Sequence, residues 1–177
     1  MKDGLGRTID YLRISVIDKC NLRCTYCMPV EGFEWIPRAE LLTYEEIAAV
    51  VRELVGMGLR RVRITGGEPL IRKDLPVLVR LLRAVEGLEE ISLSTNGILL
   101  PRFATELRLA GVDRVNISLD TLRRERFERI ARRPVRVFDE IMAGLDAAER
   151  AGFAPLKINT VLVRGLNDDE VPQLAEL

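Results

Sequence analysis

Short β-branched stretches alternate five times with stretches whose apolar residues recur every three or four positions. That alternation constrains the fold more than any other feature of the chain. Strands are expected at 12–17, 61–65, 90–94, 114–119 and 156–163, each carrying Val or Ile in a period-two pattern. A helix opens at Thr43, where Glu46 three residues on completes a capping box, with Ile47, Val50, Val51 and Leu54 as its buried stripe. A second runs from about Asp74 with Leu75, Leu78, Val79 and Leu82 on one face. A third opens at Pro101 and stops at Gly111. A short helix after Thr121, a longer one at 137–151 and a last one near Asp168 complete the pattern. Residues 28–42, with two prolines and the only Trp, read as an irregular excursion. Strands alternating with helices, with no linker between them, specify a parallel α/β sheet with right-handed crossovers. A doubly wound nucleotide-binding sheet would place Gly-x-Gly-x-x-Gly after its first strand. Here that turn holds cysteines, so a barrel-like sheet is expected. Five βα units in 177 residues are fewer than the eight of a closed barrel. The expectation is therefore a partial (β/α) barrel, residues 1–177 being a fragment of a longer protein.

Sites in such sheets lie where strands end. The first strand ends in Cys20-Asn21-Leu22-Arg23-Cys24-Thr25-Tyr26-Cys27, which holds all three cysteines of a chain without histidine. An odd number of cysteines in one loop argues against a disulfide framework. Iron–sulfur clusters are held by thiolates, usually four. Three thiolates at these spacings would leave one iron open to another ligand. A zinc site, completed by a carboxylate or a partner chain, and three buried structural thiols are the alternatives. Without histidine, acid–base work falls to Lys, Asp, Glu or Tyr, or the reaction is of another kind. The second strand ends in Gly66-Gly67-Glu68-Pro69, where two glycines let backbone approach a ligand closely. Net charge is zero, so no general attraction to nucleic acid or membrane is expected. No apolar run is long enough to span a bilayer, and the N-terminus lacks the apolar core of a signal peptide, so a cytoplasmic protein is expected.

The Cys-x3-Cys-x2-Cys loop after a first strand, with an aromatic before the third cysteine, resembles the radical S-adenosylmethionine (SAM) superfamily. The Gly-Gly-Glu-Pro turn strengthens the likeness. Within that superfamily the chain is similar to the GTP 3′,8-cyclases of molybdenum cofactor biosynthesis. The similarity is carried by Asp10 to Val16 running into Asp18-Lys19-Cys20-Asn21, and by Cys27-Met28-Pro29 with Glu31-Gly32. It continues in Arg63 to Leu70, Ser94-Thr95-Asn96-Gly97, Asn116 to Asp120 and Lys157-Ile158-Asn159. It implies a radical SAM barrel, a [4Fe-4S] cluster on Cys20, Cys24 and Cys27, and SAM against Tyr26, Gly67 and Ser118. GTP would lie against Arg13, Arg63, Ser94 and Lys157. Ser94 stands where the family usually has Thr, and the hydroxyl survives. The implied chemistry is hydrogen abstraction from the GTP ribose by a 5′-deoxyadenosyl radical, then closure onto C8 of guanine. An electron donor and a downstream enzyme of the same pathway are the implied partners, with a homodimer possible. The family's second three-cysteine cluster, in its C-terminal part, has no counterpart in these 177 residues.

Read without the family, the same side chains have plainer roles. Arg63 alternates with Val62 and Ile64, so a solvated, outward-facing arginine is the alternative to a substrate contact. Arg63 and Lys157 are charges at or near strand positions, costly to bury without an anionic partner, and a solvated position is the alternative for Arg13 and Lys157 as well. Ser118 could satisfy a neighbouring strand, and Tyr26 could anchor the loop. Glu68 reads as either a structural lid residue or a partner of SAM. For the function as a whole, a peptide-modifying radical SAM enzyme and a non-enzymatic zinc module are the competing readings.

Overall fold

The computed structural model describes residues 2–29, 32 and 34–177. Its five strands are β1 (Tyr11–Ser15), β2 (Arg61–Thr65), β3 (Glu90–Thr95), β4 (Arg114–Ser118) and β5 (Lys157–Asn159). All neighbours are parallel and the order is β1-β2-β3-β4-β5. The connecting helices are α1 (Tyr44–Gly56), α2 (Leu75–Arg83), α3 (Leu100–Ala110), α4 (Arg124–Ala131) and α5 (Arg136–Arg150), with α6 (Val171–Ala175) after β5. A strand order that follows the chain is that of a barrel; a doubly wound sheet reverses direction partway. With right-handed crossovers, that order puts the connecting helices on one face of the sheet.

Side chains alternate across a strand, so the register decides which residues share a face. Val62, Ile64, Ile91, Leu93, Val115 and Ile117 point toward the helices and are at most 2% exposed. They meet Leu78, Val79 and Leu82 of α2 and Leu100 and Leu107 of α3, all fully buried, in one continuous core. Burying each such side chain contributes roughly 1.5–3 kcal/mol. The opposite face is polar. Arg13 pairs with Arg63, Arg63 with Ser92, and Ser92 with Arg114. The next row runs Ser94, Asn116, Lys157, and the one above it Ser118, Asn159. Barrel interiors are ordinarily filled by layers of branched apolar side chains. Here the inward positions carry hydroxyls, amides and cations, which makes this face a site and leaves the core to the helix side. The five parallel strands form part of a TIM-like barrel.

The capping box forms as expected: the Glu46 N–H donates to Thr43 Oγ1 (3.2 Å) and the Thr43 N–H to Glu46 Oε2 (2.7 Å). The helix it opens turns a different stripe inward. Ile47, Ala48, Val51 and Val55 are buried, while Val50 is 49% exposed and Leu54 is half-buried. The last strand is shorter than the expected 156–163. After Asn159 the chain leaves the ladder because side chains take the backbone groups that would continue it. The Thr160 hydroxyl donates to Leu119 O (2.8 Å) and the Val161 N–H to Asp120 Oδ1 (2.9 Å). Fully buried Asn167 fixes this exit, donating from Nδ2 to Asp120 O (2.6 Å) and Val161 O (2.9 Å). Its Oδ1 accepts from the Val163 N–H (2.7 Å). Among the described residues, no helix is long and apolar enough to cross a membrane.

Candidate functional site: a three-cysteine loop over a polar sheet face

Cys20, Cys24 and Cys27 line a cavity of about 250 Å³ at the carboxyl ends of β1 to β5. All three are unpaired thiols. Of the residues singled out in the sequence, Arg13, Tyr26, Gly67, Ser94 and Ser118 share that lining. Arg63 and Lys157 do not. They stand on the same sheet face, Arg63 level with Arg13, and Lys157 in the row that holds Ser94.

The cysteine loop is held from three sides. On one, residues 17–19 run against the Gly-Gly turn: the Gly67 N–H donates to Ile17 O (2.6 Å) and the Glu68 N–H to Lys19 O (2.8 Å). A Cβ on Gly66 would stand 2.5 Å from Ile17 O, and one on Gly67 would stand 2.2 Å from Lys19 O and 2.3 Å from Asp18 O. The glycines are therefore required first by the chain's own backbone, whatever else approaches them. On a second side the Asn96 amide donates to Asn21 Oδ1 (2.7 Å). On the third, the loop caps α4. The four C-terminal carbonyls of a helix lack intrahelical donors. Here the Arg23 N–H donates to Ala131 O (3.1 Å) and the Thr25 N–H to Ile130 O (2.9 Å). Arg133 Nε reaches Asn21 O (2.7 Å). The Tyr26 hydroxyl donates to Asp120 Oδ2 (2.6 Å), tying the loop to the end of β4.

Glu68 is the hub beneath the loop. It is 1% exposed, and its carboxylate accepts from Thr95 Oγ1 (2.7 Å), the Asn96 N–H (2.8 Å) and the Leu70 N–H (3.0 Å). Burial pushes its pKa up, and the three donated hydrogen bonds oppose that. All three partners are donors, so the geometry suits the ionised form. Glu68 is thus a tie between the ends of β2 and β3. Glu170, also 1% exposed, repeats the device after β4, accepting from Thr121 Oγ1 (2.7 Å) and the Leu122 N–H (2.8 Å). Burial works against its charge, but these bonds and Arg126 outweigh it and hold the carboxyl below its ordinary range. Asp120, Asn96, Asn167 and Glu170 carry much of the site's framework, yet only the fold brings them to it. Asn96 and Asp120 stand just after β3 and β4, within the stretches that carry the family likeness; Asn167 and Glu170 lie well beyond the end of β5 and carry no sequence signal.

Burial raises the Cys20 thiol, and burial with nearby Asp120 raises Cys24 to about 11. Burial, then the bond to Asp120, raises the Tyr26 phenol. Arg63 is half-buried, with Nε 3.4 Å from Ser92 Oγ and its guanidinium over the Tyr11 ring at 5.5 Å. It faces the site side of the sheet; the solvated, outward-facing alternative does not hold. Arg13 and Lys157 are exposed on the same face, so neither carries a burial cost here. Arg61 and Arg114 have carboxylate partners in Asp10 (2.8 Å) and Glu90 (3.5 Å). Among the described residues Arg13, Arg63 and Lys157 have none. Glu31, the acidic member of the Glu31-Gly32 pair, lies outside the described residues.

The donor set fits an iron–sulfur cluster. Three thiols share one cavity, and the Leu22 N–H is aimed at Cys20 Sγ (3.3 Å) in the manner that stabilises a ligating thiolate. Among the described residues no three Cys, Asp or Glu side chains converge tightly enough to hold a single metal ion. A cluster makes a different demand, one thiolate to each of three irons.

A parallel barrel sheet with a polar inward face and a three-thiol loop after its first strand defines a cluster-dependent α/β-barrel protein. The comparisons make the class specific. The family model described as the Radical SAM superfamily matches residues 14–177, and the chain belongs to that superfamily. Its cofactors are a [4Fe-4S] cluster and SAM. The chain is 48% identical over 176 residues to the GTP 3′,8-cyclase of Thermodesulfovibrio yellowstonii, covering 99% of this chain and 54% of that protein. It is 50% identical over 177 residues to the GTP 3′,8-cyclase of Heliobacterium modesticaldum, covering 100% and 54%. It thus spans about half the length of the curated relatives it matches. Among solved structures, SuiB of Streptococcus suis superposes with a TM-score of 0.73 at 20% identity, over 94% of this chain and 36% of that one. At that identity the likeness speaks for the fold alone.

Proposed function

We propose that this chain is the N-terminal part of a GTP 3′,8-cyclase, which converts GTP to (8S)-3′,8-cyclo-7,8-dihydroguanosine 5′-triphosphate in the first step of molybdenum cofactor biosynthesis. The observation that carries the reading is the shared face. Arg13, Arg63, Ser94 and Lys157 come from four different strands and stand on one polar surface that opens on the cysteine loop. Similarity to cyclases along the whole chain supports it. Cys20, Cys24 and Cys27 would ligate the cluster, and Tyr26, Gly67 and Ser118 would contact SAM. When bound, these two cofactors supply a carbon-centred radical. Arg13, Arg63 and Lys157, which lack carboxylate partners among the described residues, are suited to the triphosphate. Ser94 would hold the substrate by its hydroxyl, one row nearer the loop than Arg13 and Arg63. The absence of histidine is consistent with hydrogen-atom abstraction, whose first step needs no general base.

In this reading a second cluster and the guanine subsite belong to a C-terminal part outside these 177 residues. The cluster receives its electron from a separate donor, the product passes to a further enzyme of the pathway, and the protein pairs as a homodimer. It works in the cytoplasm, where GTP is at hand and thiols stay reduced. The test is the full-length protein, reconstituted without oxygen and incubated with SAM, GTP and reductant. Formation of 5′-deoxyadenosine together with a cyclised isomer of GTP is expected. A spectroscopically intact cluster that yields neither refutes the proposal.

A further inference from the structure

The cysteine loop's contact with α4 has a consequence for residues far from the thiols. The two amides that the loop gives to α4, Arg23 N–H and Thr25 N–H, flank Cys24. Their acceptors, Ala131 O and Ile130 O, are the last carbonyls of a helix only 8 residues long. A helix of that length has little stability of its own, so its orientation is set by what holds its sides. Its packed face carries Phe127 and Ile130, both buried. The edge of that face, one turn before Ile130, is held by charge. Arg126 sits mid-helix with a side chain 22% exposed, and donates to both oxygens of Asp169 and to Glu170 Oε1 (2.8 Å). Glu170 is itself fixed by Thr121 and Leu122, at the end of β4. A continuous run of hydrogen bonds therefore leads from the segment after β5, through Arg126 and the body of α4, to the backbone on either side of Cys24.

We infer that Arg126 is a positioning residue for the cysteine loop: by clamping α4 to Asp169 and Glu170 it sets where the carbonyls of Ile130 and Ala131 stand, and so where Cys24 is held. Arg126 touches neither the thiols nor the cavity, and acts only through α4. The inference rests on the loop's role in holding the cluster and is independent of which substrate the site takes.

The experiment compares full-length wild type with Arg126→Met, in which stem packing is kept and the charge-assisted bonds are lost. Arg126→Lys is the conservative rescue, and Arg83→Met is the control. Arg83 also pairs with an aspartate, Asp113, but at the opposite end of the sheet. Backbone hydrogen exchange is followed by mass spectrometry on peptides covering 20–27, with the cluster reconstituted and the samples kept anaerobic. Loss of iron to a chelator is followed in parallel. Expected for Arg126→Met is exchange at 20–27 at least tenfold faster and quicker iron loss, with β2 and β3 protected as in wild type. Arg126→Lys, which reaches one carboxylate at a time, should fall between. Arg83→Met should leave 20–27 unchanged. Unchanged exchange at 20–27 in Arg126→Met overturns the inference. So does acceleration shared equally by β2, β3 and the loop, which would mean that Arg126 only supports global stability. If Arg126→Met does not fold, Asp169→Asn weakens the same clamp and is read against the same outcomes. Loss of GTP turnover is not part of the readout, so failure here and failure of the cyclase reading are distinguishable.

Discussion

Replacing Glu68 with alanine tests the framework under the cysteine loop most directly. The carboxylate is 1% exposed and serves three donors, Thr95 Oγ1 and the backbone N–H groups of Asn96 and Leu70. Alanine leaves all three in the interior without an acceptor. A buried donor left unpaired costs about 1–3 kcal/mol. The Thr95 hydroxyl can rotate to another partner, but the two amides cannot. Removing the buried carboxylate itself returns some of the cost of dehydrating a charge. The balance is a loss of about 3–5 kcal/mol. For a domain of this size that lowers Tm by roughly 6–20 °C. Glu68→Gln keeps one acceptor oxygen, which can still serve Thr95 and Leu70 as Oε1 does now. Its NH2 group then faces the Asn96 N–H, donor against donor, for about 1–3 kcal/mol. Urea unfolding followed by far-UV circular dichroism at neutral pH gives both values, and unchanged slopes show that the denatured states are comparable. The expected order of stability is wild type, then Gln, then Ala. A cost below about 1 kcal/mol for Glu68→Ala, or a larger cost for Gln than for Ala, would refute the assignment of Glu68 as a structural tie.

Other consequences follow from the same geometry. Gly67→Ala would drive a Cβ to 2.2 Å from Lys19 O, so one of two backbones must move; SAM affinity by calorimetry should fall at least tenfold, and wild-type affinity would show that the crossing can relax. Glu170 titrates below its ordinary range in the folded state, so its stabilising effect is complete above the unfolded value of about 4.3 and disappears as pH falls through the lower folded value. Urea midpoints of wild type and Glu170→Gln should therefore differ most near neutral pH and converge in acid; a gap that is constant with pH would contradict this. Tyr26→Phe removes one hydrogen bond to Asp120 on a residue that is 46% exposed, and should cost about 1 kcal/mol or less in the same melts. Lys157→Ala should weaken GTP binding by about tenfold and flatten its dependence on salt, since one charge-assisted contact is lost. An unchanged dissociation constant would remove Lys157 from the substrate site.

Much of the architecture was legible in the order of the residues. Period-two and period-3.6 patterns are local properties, and they placed the elements because each is built from neighbours in the chain. Thr43 and Glu46 announced a helix start because a capping box involves residues only three apart. The cysteine loop stood out for a similar reason, with all three thiols inside eight consecutive residues. What lay beyond the sequence was every relation between segments. Arg63 could not be assigned a face from its own strand, since alternation says only that it opposes Val62 and Ile64. The strand order and the handedness of the crossovers put the helices behind the valine and left arginine facing the site. The second glycine of the Gly-Gly turn was readable as a close approach, but the fold shows its first partner to be residues 18–19. The sequence overextends β5 because Val161 and Val163 have strand propensity, while Asp120 and Asn167, distant in sequence or unremarkable in composition, take their amides. The sequence alone determined the elements, their order and the loop that carries the thiols. Only the tertiary structure decided which face of the sheet is a site and what holds that loop in place, because those depend on hydrogen bonds between residues some hundred positions apart, and no local pattern records them.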